Sequence, residues 1–173
     1  METVPVMTDD RICFFTDTGS MYQVKAADVP AGKLKDKGVP LDNISRFEGA
    51  KERILLTMPA SELPGKKLLF ATRAAMLKIV PGGEFLTANR MVAATKLSEG
   101  DQAAEIRILS GETEIVLQTK EGMFLRFMIN EIPELKKNSR GVRGMKLEDG
   151  DSLEHVYFPE TSRWQSIKKK KST

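Results

Sequence analysis

Apolar positions in this chain fall in short alternating runs, each closed by a cluster of turn-forming residues. Ile54–Leu56, Glu105–Leu109 and Glu114–Thr119 have strand length, alternation and β-branched content. Turn signals such as Thr18-Gly19, Pro64-Gly65, Pro81-Gly82-Gly83, Ser110-Gly111, Glu121-Gly122 and Asp149-Gly150-Asp151 separate the runs. A helix would need apolar stripes at a 3.6-residue period sustained over about ten positions or more, and none is present. The pattern predicts an all-β chain.

The runs repeat. Phe14–Val24 (FFTDTGSMYQV), Phe70–Val80 (FATRAAMLKIV) and Leu117–Phe127 (LQTKEGMFLRF) each read as a strand ending in Thr, a tight turn and a second strand. Counted from Thr16, Thr72 and Thr119, an acid follows at Asp28, Glu84 and Glu131, then an apolar residue at Val29, Phe85 and Ile132. A basic residue then precedes a turn in Lys37-Gly38-Val39, Arg90-Met91-Val92 and Arg140-Gly141-Val142. Gly49, Gly100 and Gly150 close the register, with Asp101 and Asp151 after the last two. The anchors lie 56 and 47 residues apart, the size of a four-stranded propeller blade. This organisation predicts a first blade over 8–64, a second over 65–110, a third over 111–158, and a basic, disordered tail over 159–173. Propellers close with typically four to eight blades, so three units predict a partial array.

Charge narrows the function classes. The 173 residues carry 27 Lys+Arg against 24 Asp+Glu, but Arg163 and Lys168 to Lys171 lie in a tail without acids. Removing those five leaves 22 basic residues against 24 acidic ones over residues 1–162. A uniformly basic surface is excluded, and a polyanion partner would require the cations to be sorted onto one face. Such sorting is visible within the third unit: residues 136–143 (KKNSRGVR) hold four cations and no acid, whereas 146–154 hold four acids and one Lys. Residues 33–37 (KLKDK) are the basic stretch of the first unit. No apolar run approaches the roughly 20 residues that span a bilayer, and the N-terminus lacks the basic start and apolar core of a secretory signal. The expected setting is cytoplasmic, with the single Cys13 a small buried hydrophobe.

The repeats resemble those in the C-terminal domain of the A subunit of bacterial type IIA topoisomerases, gyrase and topoisomerase IV. FFTDTGSMYQVKAADVP with Lys37-Gly38, FATRAAMLKIV with Glu84-Phe85, and IVLQTKEGMFLRF with NSRGVRGMKLEDGD carry the likeness over roughly residues 10–158. The resemblance implies a β-pinwheel, a propeller-like disc whose blades exchange strands and whose basic rim binds and bends duplex DNA without regard to sequence. It implies as partners double-stranded DNA, an ATPase subunit, plus the rest of the A subunit. It further implies a nucleoid-associated setting in a bacterium, and no cofactor in this region. Cleavage chemistry and ATP hydrolysis would belong to other parts of an ATP-dependent enzyme, leaving this chain non-catalytic. The glutamine-arginine-glycine box of gyrase is absent, but the first unit resembles the family's second blade, so the absence does not choose between the two enzymes. The wording LQTKEGMFLRF leans towards topoisomerase IV. Two departures stand out: Ala75 replaces the turn glycine of its siblings, and Met91 replaces the glycine after the basic residue.

A DNA wrapper needs cations spread along a curved track. The expected contacts are Lys33, Lys35 and Lys37, Arg90, and Lys136, Lys137, Arg140 and Arg143 in the loops, with Lys78, Lys120 and Arg126 as strand candidates. Lys78 and Arg126 fall among alternating apolar residues and would equally suit the solvent side of a strand. Asp28, Glu84 and Glu131 recur one per blade, which suits a structural bond to backbone donors in the following turn better than a catalytic cluster. His155 has no Cys or acid at metal-ligand spacing and reads as a surface or satisfied residue; no metal site is expected. The competing reading is a propeller-type protein-interaction scaffold, which would need an exposed apolar patch on one disc face.

Overall fold

The computed structural model describes residues 10–29, 32–35, 37–38 and 49–159. Among the described residues the strands are β1 (Arg11–Thr16), β2 (Ser20–Lys25), β3 (Ile54–Pro59), β4 (Lys67–Thr72), β5 (Met76–Pro81), β6 (Met91–Ala93), β7 (Ala103–Leu109), β8 (Glu114–Thr119), β9 (Phe124–Met128), β10 (Val142–Arg143) and β11 (Leu153–Tyr157), with short 3-10 turns between several of them. They form three antiparallel sheets in the orders β3-β1-β2-β6, β10-β5-β4-β7 and β11-β8-β9. The fold is all-β and blade-like, as the repeats predict. The tail from 160 onward and most of 30–48 lie outside the described residues.

The three anchor threonines are the last residues of β1, β4 and β8, all buried, and each carbonyl accepts a bond from the turn residue three positions on: Gly19, Ala75 and Gly122. Thr72 and Thr119 also accept through Oγ1 from the amides of Met76 and Met123 at 3.2 and 3.0 Å. Ala75 adopts the left-handed conformation of its glycine siblings, φ 65° against 79° and 87°. That conformation costs a non-glycine residue roughly 1–2 kcal/mol, offset in part here because the Ala75 methyl is fully buried between the second and third sheets. Asp101 and Asp151 close the turns from outside: each Oδ1 accepts from the amide of the residue after it and from Ala74 or Glu121 in the tight turn.

The first and second sheets each borrow an outer strand from the next unit. β6, from the second unit, pairs with β2 (Met21 opposite Val92), and β10, from the third, pairs with β5 (Leu77 opposite Val142). Two further bonds repeat at each junction. Ala94 N donates to Gly19 O and Gly144 N to Ala75 O, while Ala103 N donates to Asp17 O and Leu153 N to Arg73 O. The core lies between sheets rather than within one. Phe15, Met21, Leu68, Phe70, Phe85 and Ile106 fill the first interface, and Leu69, Leu77, Ile79, Ile115, Leu117 and Ile132 the second. Phe15 meets Phe70 and Phe85 edge-on, with centroids 6.2 and 5.2 Å apart.

The middle sheet therefore has no solvated face, and this corrects the reading of Lys78. Strand alternation places a charged residue outward only where one face meets water; β5 is packed from both sides, and Lys78 is 1% exposed. Its ammonium donates to the carbonyls of Lys136, Lys137 and Ser139 at 3.0, 3.0 and 2.6 Å, and lies 5.5 Å from the Phe70 ring centroid. Lys78 thus clasps the third unit's loop to the second sheet. Two of the recurring acids are also structural, but not as expected. Glu131 reaches back to the amide of Met128, and Glu84 reaches forward to the amide of Lys137 in the next unit, neither to the turn that follows it.

Two outcomes follow for stability. At Gly141, φ is 91° and an added Cβ would stand 2.5 Å from Leu77 O; Gly141→Ala should destabilise by about 2–3 kcal/mol, read in denaturant melts, by prising β10 off β5. Burial lowers the Lys78 pKa from 10.5 to about 8, partly countered by Glu84. Between those values the unfolded chain holds a proton that the folded chain has released, so unfolding free energy should rise with pH across that window. Comparing melts at pH 8 and 10, Lys78→Met should lack an increment of about 2 kcal/mol that the parent chain shows.

Candidate nucleic-acid interface

The strands that cap neighbouring sheets are continuous with the basic loops, so strand exchange fixes where those loops sit. Arg90 immediately precedes β6, and its carbonyl accepts from Gln23 N at 2.9 Å, holding it at the rim of the first sheet. Arg140 and Arg143 flank Gly141 and Val142 at the rim of the second, where Lys78 gathers the 136–139 carbonyls. The two loops touch: Ser139 O accepts from Lys96 N and Thr95 Oγ1, both at 3.3 Å. Arg90, Lys96, Lys136, Arg140 and Arg143 are exposed, and Lys137 is half-buried. Among the described residues, no side chain of these six forms an ion pair.

The other expected contacts divide. Lys33, Lys35 and Lys37 are exposed within the described part of the first unit's loop, and Lys120 is exposed in the third hairpin turn. Arg126 projects from β9 but is paired, with Nε 3.3 Å from Glu114 Oε1, which neutralises its charge in place. Lys78 is buried and its ammonium is fully engaged by carbonyls, so it supports the loop rather than the surface.

Sequence reasoning missed two sets of cations. Arg11 and Lys25 stand directly opposite each other on β1 and β2, a like-charge pair that a strand ladder normally avoids. With Arg90 they line a cleft of about 160 Å³, together with Gln23, Asp28 and Asn89. The cleft wall is held by Arg11 Nη1 donating to Thr87 O at 2.9 Å and Gln23 Nε2 donating to the carbonyls of Thr87 and Asn89, both at 2.6 Å. The signal was available, since both residues lie equally far from the hairpin turn. Lys96 and Lys146 form the second set, exposed and six residues beyond Arg90 and Arg140.

Among the described residues no group of His, Cys, Asp and Glu is arranged to hold a metal, and no helix is long and apolar enough to cross a membrane. His155 is exposed beside Glu154, at 3.6 Å, and Tyr157. Cys13 is fully buried, and burial pushes its thiol pKa up to about 11, far from a reactive thiolate.

Known proteins resemble this chain in sequence and in fold. The A subunit of DNA gyrase from Staphylococcus aureus (strain MRSA252) is 30% identical over 156 residues, which are 88% of this chain and 17% of that protein. The chain thus spans about a sixth of the length of such relatives. Among solved structures, the C-terminal domain of DNA topoisomerase IV superposes with a TM-score of 0.81 at 24% identity, over 88% of this chain and 48% of that one. The E. coli ParC C-terminal domain gives 0.71 at 18%, covering 87% and 62%. The DNA gyrase A C-terminal domain gives 0.61 at 23%, covering 86% and 47%. The sequence profile described as "DNA gyrase C-terminal domain, beta-propeller" matches residues 10–46, 66–110 and 113–159, well over half of the chain, one segment for each repeat. The chain belongs to that family.

Proposed function

We propose that this chain binds duplex DNA without sequence preference and bends it along its rim, as the C-terminal DNA-wrapping region of a type IIA topoisomerase A subunit. The observation that carries the reading is the pair of equivalent basic loops, 90–96 and 136–143, each bonded to the edge of the preceding sheet and joined to the other through Ser139. Their unpaired cations lie on consecutive blades, so phosphates of one duplex would meet them in succession. Phosphate contacts fix position and supply affinity, while bending a site costs on the order of several kcal/mol that contacts along the arc must offset. The cleft of Arg11, Lys25 and Arg90 adds cations at the first sheet, and Lys33, Lys35 and Lys37 are exposed in that unit's loop. Lys120 is a weaker contact; Lys78 drops out because it is buried among carbonyls, and Arg126 is weakened by its surface pair with Glu114.

In the intact enzyme this region would support supercoiling or decatenation by holding DNA near a cleavage centre in another part of the A subunit, with ATP used by a partner subunit in the bacterial nucleoid. The third unit's LQTKEGMFLRF favours a topoisomerase IV-like parent over gyrase. The scaffold reading needs an apolar patch on a disc face, whereas large exposed apolar side chains gather along the edge strand β9.

A gel-shift titration over salt tests the proposal. Affinity should fall linearly on a log–log plot with a slope near −0.9 for each phosphate neutralised, and absence of binding at low salt would sink the idea. Exchanging Lys136, Lys137, Arg140 and Arg143 for Glu should weaken binding to all sequences alike, while Arg126→Gln should leave the slope unchanged.

A further inference from the structure

Lys78 is more than the loop it holds requires. At the first junction a neutral side chain does comparable work: Gln23 Nε2 donates to the carbonyls of Thr87 and Asn89, both at 2.6 Å, and fixes the residues before Arg90. At the second junction the carbonyls of Lys136, Lys137 and Ser139 are gathered instead by an ammonium on a residue that is 1% exposed. Burying a charge is far more costly than burying an amide, so gathering carbonyls does not by itself account for a lysine here. A lysine differs from a glutamine in being able to release a proton.

The hold of Lys78 reaches both basic loops. Among the described residues, the bonds that tie 136–139 to the second unit come from Lys78, from Lys137 N donating to Glu84 Oε1 at 3.1 Å, and from Thr95 and Lys96. Ser139 O is the shared point, accepting from Lys78 Nζ at 2.6 Å and from Lys96 N and Thr95 Oγ1 at 3.3 Å. An ammonium brings three N–H donors to its three carbonyls, whereas a neutral amine brings two.

We propose that Lys78 is a positioning residue for DNA contact: its protonated side chain sets the cations of both loops in place, and an approaching phosphate backbone favours that protonated form, so binding is linked to proton uptake. The inference rests on the DNA-binding reading above. Loss of the proton leaves one carbonyl without its donor at the root of the loop that carries Lys136, Lys137 and Arg140. Burial lowers the Lys78 pKa to about 8, which brings the change of charge close to neutral pH. The groups around it act in opposite directions. Glu84 favours the ammonium, while Lys96, Lys136, Lys137, Arg140 and Arg143 oppose it until phosphates offset their charge. β4 places Phe70 opposite Lys78, and the first sheet contributes Cys13 to the same core, its thiol neutral up to about pH 11. Bound phosphates therefore raise the Lys78 pKa above its value in the free chain. Affinity is full below about pH 8 and declines above it, by about tenfold if DNA raises that pKa by one.

Fluorescence anisotropy with a mixed-sequence duplex, on the full chain at one low salt concentration from about pH 7 to 9.5, tests the link. The parent should lose about tenfold in affinity across that range. Lys78→Gln keeps an amide for the carbonyls but no titratable proton, and should lose no more than about twofold. Lys78→Met keeps neither, and should bind more weakly than Lys78→Gln with an equally flat profile. Calorimetry at about pH 8.5 in two buffers of different ionisation enthalpy should show proton uptake on binding by the parent and none by Lys78→Gln. A lysine with only a structural role would weaken binding in both variants and leave the pH profile as it was. Parent binding that is flat with pH, a decline that survives in Lys78→Gln, or no proton uptake by the parent overturns the inference and leaves the DNA-binding reading standing. A parent chain that fails to bind at pH 7 overturns both.

Discussion

Everything in this molecule depends on backbone hydrogen bonds made across unit boundaries. A sheet edge left bare exposes unpaired N–H and C=O groups, and a three-stranded hairpin unit cannot cover its own edge. Lending β6 to the first sheet and β10 to the second solves that problem with strands of three and two residues. Such short strands contribute little alone; they hold because Ala94, Gly144, Ala103 and Leu153 tie the same junctions with further backbone bonds. The apolar cores then form between sheets that are already clamped in register.

The same exchange links scaffold and surface. The residues before each capping strand are the basic loops, so holding the strand against its neighbour also holds Arg90, Arg140 and Arg143 at the rim. Lys78 is the costliest part of this arrangement, a charge in a sheet covered on both faces. Three carbonyl acceptors at its ammonium make the burial tolerable, and they turn those carbonyls inward where they cannot repel an approaching polyanion. Its counterparts Tyr22 and Leu125 show that the position accepts other chemistry where the neighbouring loop differs.

Much of the fold was legible in the sequence because the hairpins are local. The Thr anchors, the tight turns and the strand runs of β1, β2, β4, β5, β8 and β9 follow from period-two alternation and turn residues close in the chain. The capping strands were not legible from periodicity, since two or three residues carry no alternation; only the family likeness implied them. Lys78 was misread for a physical reason: alternation tells which face a side chain takes, but not whether that face is buried by another sheet. Glu84 was misread because its acceptor role bridges to Lys137, 53 positions away. The cations were found where they clustered in sequence and missed where pairing assembled them, as with Arg11 and Lys25 across a hairpin.

The borrowed strands have a consequence for how the chain is made. β2 emerges from the ribosome long before β6, and β5 long before β10, so each sheet must wait with a bare edge until most of the next unit has been synthesised. During that interval the waiting edge is a bonding surface for any nearby nascent chain of the same kind. The interval closes only when 91–93 and 142–143 have been synthesised and laid against β2 and β5.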